Sequence, residues 1–238
     1  LAWAQPALLE VVARGVASRA PGLGAHHVAI TAWSFGCLAV SDEPMMAAIA
    51  SGLPASIRDF GPQGLSNLAH GFAKQAVRDS AAMEVIAAEA ARTIVAFTNQ
   101  ELSATTWAFA KLSLSPQAFI GAVADEVARR MSDLNPQDLA MLAWSMAHFE
   151  GPRSKKALED ISWEVMRQAE HLGPQDLANI CWGYATAGCE NALMMSAIAR
   201  EVVRKVDGFA AQDLANTSWA YAKLGLTEDE MFDAISAE

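Results

Sequence analysis

Apolar residues recur along this chain in a helical pattern that itself repeats. Counted from a glutamine as position zero, Leu or Val stands at +2 (Val28, Leu65, Leu102, Leu139, Leu177, Leu214), Trp or His at +7 (Trp33, His70, Trp107, Trp144, Trp182, Trp219), an aromatic or Met at +9, and mostly Ala at +10. Those offsets mark one face of a helix, here called helix A. The zero column runs Gln63, Gln100, Gln137, Gln175, Gln212, with a weaker copy at His26, so the phrase returns every 37 or 38 residues. A second periodic stretch, helix B, follows: Phe119, Ile120, Val123 and Val127 in one copy, Met194, Met195, Ile198 and Val202 in another. Two antiparallel helices per repeat, joined by short loops, predict an all-α fold, an α-solenoid of stacked two-helix repeats that bury a continuous core only against their neighbours. The Trp at +7 and the aromatic at +9 are expected in the core between repeats, with His70, in a Trp place, as a packed core histidine.

Each helix A has a marked start. Pro62, Pro136 and Pro174 stand at −1, where proline suits the first helical position, and Glu101, Asp138, Asp176 and Asp213 lie in the first turn near the positive dipole end. Thr98 with Glu101 predicts a capping box, and an apolar residue at −3 (Leu23, Phe60, Phe97, Leu134, Leu172, Phe209) is placed as a hydrophobic staple. The expected organisation is a single array over 1–238, with units at 1–22 (partial), 23–59, 60–96, 97–133, 134–171, 172–208 and 209–238 (partial). With no polar cap at either end, the native polypeptide is expected to continue on both sides.

Composition narrows the function classes. At 53% hydrophobic and 18% charged the chain has ample core material and is expected to be ordered throughout. The longest apolar stretch, Val28 to Val40, has 13 residues, too short to span a bilayer, so no membrane insertion is expected. Cys37, Cys181 and Cys189 form no CxxC pair and no zinc spacing, and are expected as buried thiols in a reducing compartment. Ser and His make no hydrolase arrangement, and no HisGluxxHis or glycine-rich phosphate loop occurs, so neither enzyme activity nor a cofactor or metal is expected. The formal net charge of −10 weighs against casual nucleic-acid binding, which rests on Lys and Arg releasing counterions.

Two repeated columns are not apolar. Glu89, Glu126, Glu164 and Glu201 are each followed three residues later by Arg92, Arg129, Arg167 and Arg204, on one face of helix B. They form either an arginine ladder for a phosphate backbone or a run of ion pairs. The second column is the expected exposed stripe of helix A at +1, +4, +8 and +11. Position +8 is always Ser, Gly or Ala, while +4 and +11 supply Asn67, Asn179 and Asn216, and Lys74, Lys111, His148 and Lys223. Small residues beside polar ones would let a strand approach, with Asn as base reader and Lys on phosphate. The other reading is an Asn hydrogen-bond ladder between A helices, with small residues for tight helix packing.

The phrase ProGlnAspLeuAlaAsn (174–179) with Trp182 and Ala185, closing in AlaLysLeu at 110–112 and AlaLysLeuGly at 222–225 in other copies, resembles the octotricopeptide-repeat class and its RAP-domain and FAST-kinase-like organellar relatives. The resemblance covers nearly the whole chain. It implies a soluble plastid or mitochondrial protein that binds single-stranded RNA in processing or stabilisation, with no DNA partner expected. A different class is also open: an acidic structural subunit docking on protein within a ribosome or a photosynthetic or respiratory complex.

Overall fold

In the computed structural model of the chain, residues 6–238 are described. The expected first unit therefore reaches outside the described residues at 1–5. The described residues form thirteen α-helices and no strand. The A helices are α2 (Ala25–Cys37), α4 (Pro62–Lys74), α6 (Asn99–Lys111), α8 (Pro136–Ala147), α10 (Pro174–Ala187) and α12 (Ala211–Leu224). The B helices are α1 (Pro6–Arg19), α3 (Glu43–Ser56), α5 (Ser80–Thr93), α7 (Gln117–Arg130), α9 (Pro152–Gln168), α11 (Ala192–Lys205) and α13 (Asp229–Ala237). Two compact units divide the chain inside α7, Leu1–Val123 and Ala124–Glu238. Within the first, α2, α4 and α6 lie side by side, as do α1, α3 and α5; within the second, α8, α10 and α12 do so, and α9, α11 and α13. Both units show the stacking of two-helix repeats that characterises an α-solenoid.

The helix starts follow the sequence signals. Pro62, Pro136 and Pro174 open their helices, Thr98 and Glu101 form the capping box, and Asn135 accepts the Asp138 N–H at 2.8 Å. Before each A helix a short 3-10 turn ends on the apolar −3 residue in extended conformation, with Phe60, Phe97, Leu134 and Leu172 buried. Leu65, Leu102, Leu139 and Leu177 at +2 are all 0% exposed, each contributing about 1.5–3 kcal/mol of burial. Position +9 is core in every copy: Phe35, Phe72, Phe109, Met146, Tyr184 and Tyr221. The two tyrosines satisfy their hydroxyls by donating to the carbonyls of Leu158 and Met195 at 2.5 Å, tying each A helix to the B helix before it.

Five of the six A helices end on a left-handed residue: Ala39, Ala76, Ser113, Gly188 and Gly225, with φ between 54° and 67°. The following residue returns its N–H to the +9 carbonyl, as Val77 does to Phe72 and Cys189 to Tyr184, both at 3.0 Å, which is the Schellman closure. The exception is α8, which belongs to the copy with the longer spacing from Gln137 to Gln175. Its exit passes through Gly151 at φ 121°, and Ser154 Oγ donates to the Phe149 and Gly151 carbonyls at 2.9 and 3.0 Å. The B helix that follows, α9, is the longest, with 17 residues.

Candidate functional site

Within each unit the A helices meet along a seam of small residues. In the +8 column Gly71, Ala108, Ser145, Gly183 and Ala220 are buried, and Ser34 of the weaker first copy is half-buried. A Cβ added at Gly71 would come within 2.6 Å of the Ala32 carbonyl, and one at Gly183 within 3.0 Å of Trp144 Cα. Position +8 therefore does not belong to the exposed stripe; the small residues serve close helix packing, because only a missing or minimal side chain lets the backbones approach this far. Nor is an Asn ladder formed. Asn67, Asn179 and Asn216 are half-exposed, and their side chains make no hydrogen bond among the described residues.

Beside this seam runs a row in which +7 and +11 alternate, and here the core expectation for the tryptophans is corrected. Trp107, Trp144 and Trp182 are half-buried, while Trp33 and Trp219 are 40% and 44% exposed. The rings of Trp107, Trp144, Trp182 and Trp219 pack between repeats, but on the surface. In the second unit Trp144 stacks on Trp182 at 5.9 Å and 13°, Trp182 meets Trp219 at 6.3 Å, and His148 lies 4.0 Å from Trp144 and 5.3 Å from Trp182. His148 Nδ1 donates to the Trp144 carbonyl at 2.7 Å, which leaves Nε2 free to bind something else. In the first unit His70 lies against Trp107 at 5.4 Å, and Lys74 stands over the same indole at 5.4 Å. Lys223 stands over Trp219 at 4.8 Å. Half-burial, then the Lys74 charge, lower the pKa of His70, so this ring is a neutral member of the row and not a fully packed core histidine. Lys111 is exposed.

The Gln column that marks each repeat in the sequence lies at the surface. Gln63, Gln100, Gln137, Gln175 and Gln212 are all exposed, and none of their side chains makes a hydrogen bond among the described residues. Packing does not explain why the same residue recurs there. The signal lay in the recurrence of a polar side chain one residue past the first helical position, where solvent alone sets no identity. Charge is also unevenly placed. The six A helices carry three lysines, Lys74, Lys111 and Lys223, against four carboxylates, Glu101, Asp138, Asp176 and Asp213, so nearly all of the −10 lies elsewhere.

The Glu–Arg column is a set of ion pairs. Arg92 grips Glu89 through Nε and Nη2 at 3.0 and 2.5 Å, Arg129 and Arg167 hold Glu126 and Glu164 in the same bidentate way, and Arg204 reaches Glu201 at 2.7 Å. The carboxylates are buried and the guanidinium groups exposed. Arginine hydrogen bonds lower the pKa of Glu89 and Glu164; at Glu126 and Glu201 burial pushes upward but the two cations on each outweigh it. The phosphate-ladder reading of Arg92, Arg129, Arg167 and Arg204 is corrected accordingly, since each cation is already neutralised at contact distance. In two copies the fourth residue after the Glu holds the turn that precedes its own repeat's A helix: Gln168 Nε2 donates to the Leu134 carbonyl and Lys205 Nζ to that of Leu172, both at 2.9 Å, whereas Thr93 donates to the Glu89 carbonyl of its own helix.

A family profile described as RNA-editing substrate-binding complex 8 protein matches residues 46–236. The chain belongs to this family. No curated protein shows significant similarity to the chain. The match agrees with the coarser part of the resemblance, a helical family associated with RNA, and does not extend to the octotricopeptide or RAP assignment. In this RNA-editing substrate-binding complex 8 family member the matched residues begin inside α3 and end inside α13, so the Asn, Gln and Lys columns described here lie within the family region, while α1 and α2 lie before it. The cysteines differ from expectation: only Cys181 is buried, its thiol pushed up to about 12 by burial, whereas Cys189 is half-buried and Cys37 exposed at the end of α2. Among the described residues no helix is long and apolar enough to cross a membrane.

Proposed function

We propose that this chain is a non-enzymatic helical-repeat module that holds single-stranded RNA along the outer edge of its A helices, as one component of an organellar RNA-processing assembly. The observation that carries the reading is the row of half-exposed indoles with Lys74 and Lys223 laid over them, flanked by asparagine and glutamine amides that have no protein partner. Indole edges and ammonium groups suit a strand whose bases and phosphates alternate, and free amides suit base edges. Asn67, Asn179 and Asn216 are the base readers, Lys74, Lys111 and Lys223 the phosphate contacts, and His148 bridges two indoles. The units proposed from the sequence, a single array over 1–238, would each contribute one rung.

The family's own description, a substrate-binding complex of RNA editing, supports this reading over an enzyme. A second reading is favoured by the charge distribution: with the A helices near neutral, the acidic remainder would dock on protein within a large complex. A mobility-shift titration of single-stranded RNA across salt separates the two. Binding that weakens steadily with salt is expected; no shift at low ionic strength removes RNA from this chain and leaves the protein-docking role.

A further inference from the structure

The exit of α8, the one that abandons the Schellman closure, opens a cavity of about 490 Å³ whose walls include His148, Phe149, Lys155, Leu158, Thr186 and Cys189. That volume lies within the roughly 300–1,000 Å³ range of small-ligand sites. Three features distinguish it from an accidental gap between loops. Thr186 Oγ1 is buried and has no hydrogen-bond partner, although threonines elsewhere in the A helices, such as Thr105, Thr106 and Thr217, bond the carbonyl four residues back. A buried hydroxyl without a partner costs stability unless something outside the protein supplies one. His148 has its Nδ1 committed to its own helix and its Nε2 unused, and it belongs at once to the cavity wall and to the aromatic row. The apolar walls of Phe149 and Leu158 face a polar set, Thr186, His148 and the Cys189 thiol, with Lys155 and Glu150 as the charged lining groups.

We infer that this cavity receives one nucleotide turned out of the strand that runs along the row. Apolar walls with hydroxyl, imidazole and thiol groups between them match a flat heteroaromatic ring with donors and acceptors on its edge, and Lys155 meets the attached phosphate. Glu150, which is exposed, would accept from an exocyclic amino group rather than meet phosphate. The extra residue of this copy thus makes one repeat unlike the others and gives the array a fixed register on its ligand. The inference rests on the RNA reading for the source of the nucleotide, but its chemistry does not require a strand.

Cys189 reports occupancy directly, because it lines the cavity, and Cys181, fully buried, serves as the unreactive reference. The full chain is alkylated with iodoacetamide alone, with a single-stranded oligoribonucleotide, and with a mixture of the four nucleoside monophosphates, and modification of Cys189 is followed by mass spectrometry. Protection by the oligoribonucleotide is expected, and protection also by the monophosphates would show that the cavity takes the nucleotide unit itself. Thr186→Val is expected to weaken protection about tenfold while leaving the thermal midpoint of the free protein unchanged or raised, since it removes an unpaired buried hydroxyl. If the oligoribonucleotide shifts in a gel yet neither it nor the monophosphates slow modification of Cys189, the nucleotide cavity is overturned and the RNA reading stands. If only the monophosphates protect and no RNA shift occurs, the cavity stands and the RNA reading falls; if nothing shifts or protects, both fall.

Discussion

On the B helices, Glu89, Glu126, Glu164 and Glu201 each hold an arginine on their own helix; on the A helices, Gln63, Gln100, Gln137, Gln175 and Gln212, with Asn67, Asn179 and Asn216, hold nothing. Both sets repeat, so recurrence alone does not separate architecture from binding. What separates them is satisfaction. A repeated polar group that is buried and paired is explained by the fold it stabilises, whereas a repeated group at the surface without a partner has no such account.

Four experiments break or sharpen that contrast. The largest effect is expected at the seam that sets the A helices in place: Gly71→Val should lower unfolding free energy by about 3 kcal/mol or more, read by denaturant titration, because even its first carbon overlaps the Ala32 backbone. Next, Lys74→Ala, Lys111→Ala and Lys223→Ala combined should reduce RNA affinity about tenfold at low salt and flatten the log–log salt slope by about 2, whereas the same change at Arg92, Arg129, Arg167 and Arg204 should leave the slope as it was. Equal losses from both sets would erase the distinction between the two helix classes.

The third concerns pH. All four glutamates have pKa values lowered in the folded state, so the stabilisation is complete above the ordinary glutamate range near about 4.3 and is lost as pH falls through the depressed values. Thermal midpoints should hold from neutrality to mildly acidic conditions and then decline, and Glu164→Gln should make the decline shallower. The smallest effect is at the helix exits. Ala76→Gly or Ser113→Gly should add about 0.5–1 kcal/mol, since each now holds a side chain at φ 55°.

The sequence carried the helix starts, because proline, the Thr98–Glu101 box and the acidic first turn each act through neighbours one to three residues away. It also carried the +2 and +9 core, which periodicity alone locates. It did not separate the two uses of a small residue: Gly71 and Gly183 read equally as room for a ligand and as room for a helix, and only the position of Ala32 and Trp144 decides. The tryptophans misled for a related reason. Position +7 is close enough to the apolar face to be taken as core, yet the rings stay half-exposed, and those of Trp107, Trp144, Trp182 and Trp219 lean on a ring at the same position of a neighbouring repeat. Left-handed exits at Ala39, Ala76 and Ser113 left no trace, since glycine, their usual marker, is absent there. The one-residue excess between Gln137 and Gln175 was visible as a count, but the cavity it builds was not.

The bonds from Gln168 to Leu134 and from Lys205 to Ala169, Glu170 and Leu172 all point one way along the chain, from the end of a B helix back to the turn that joins its repeat to the one before. Each turn is thus latched by its successor. Removing a repeat from the C-terminal side unfastens the neighbour it leaves behind, whereas removing one from the N-terminal side leaves every remaining latch shut. Fraying, exchange of backbone amides and proteolytic trimming should accordingly advance through the second unit like a zip drawn from its C-terminal end.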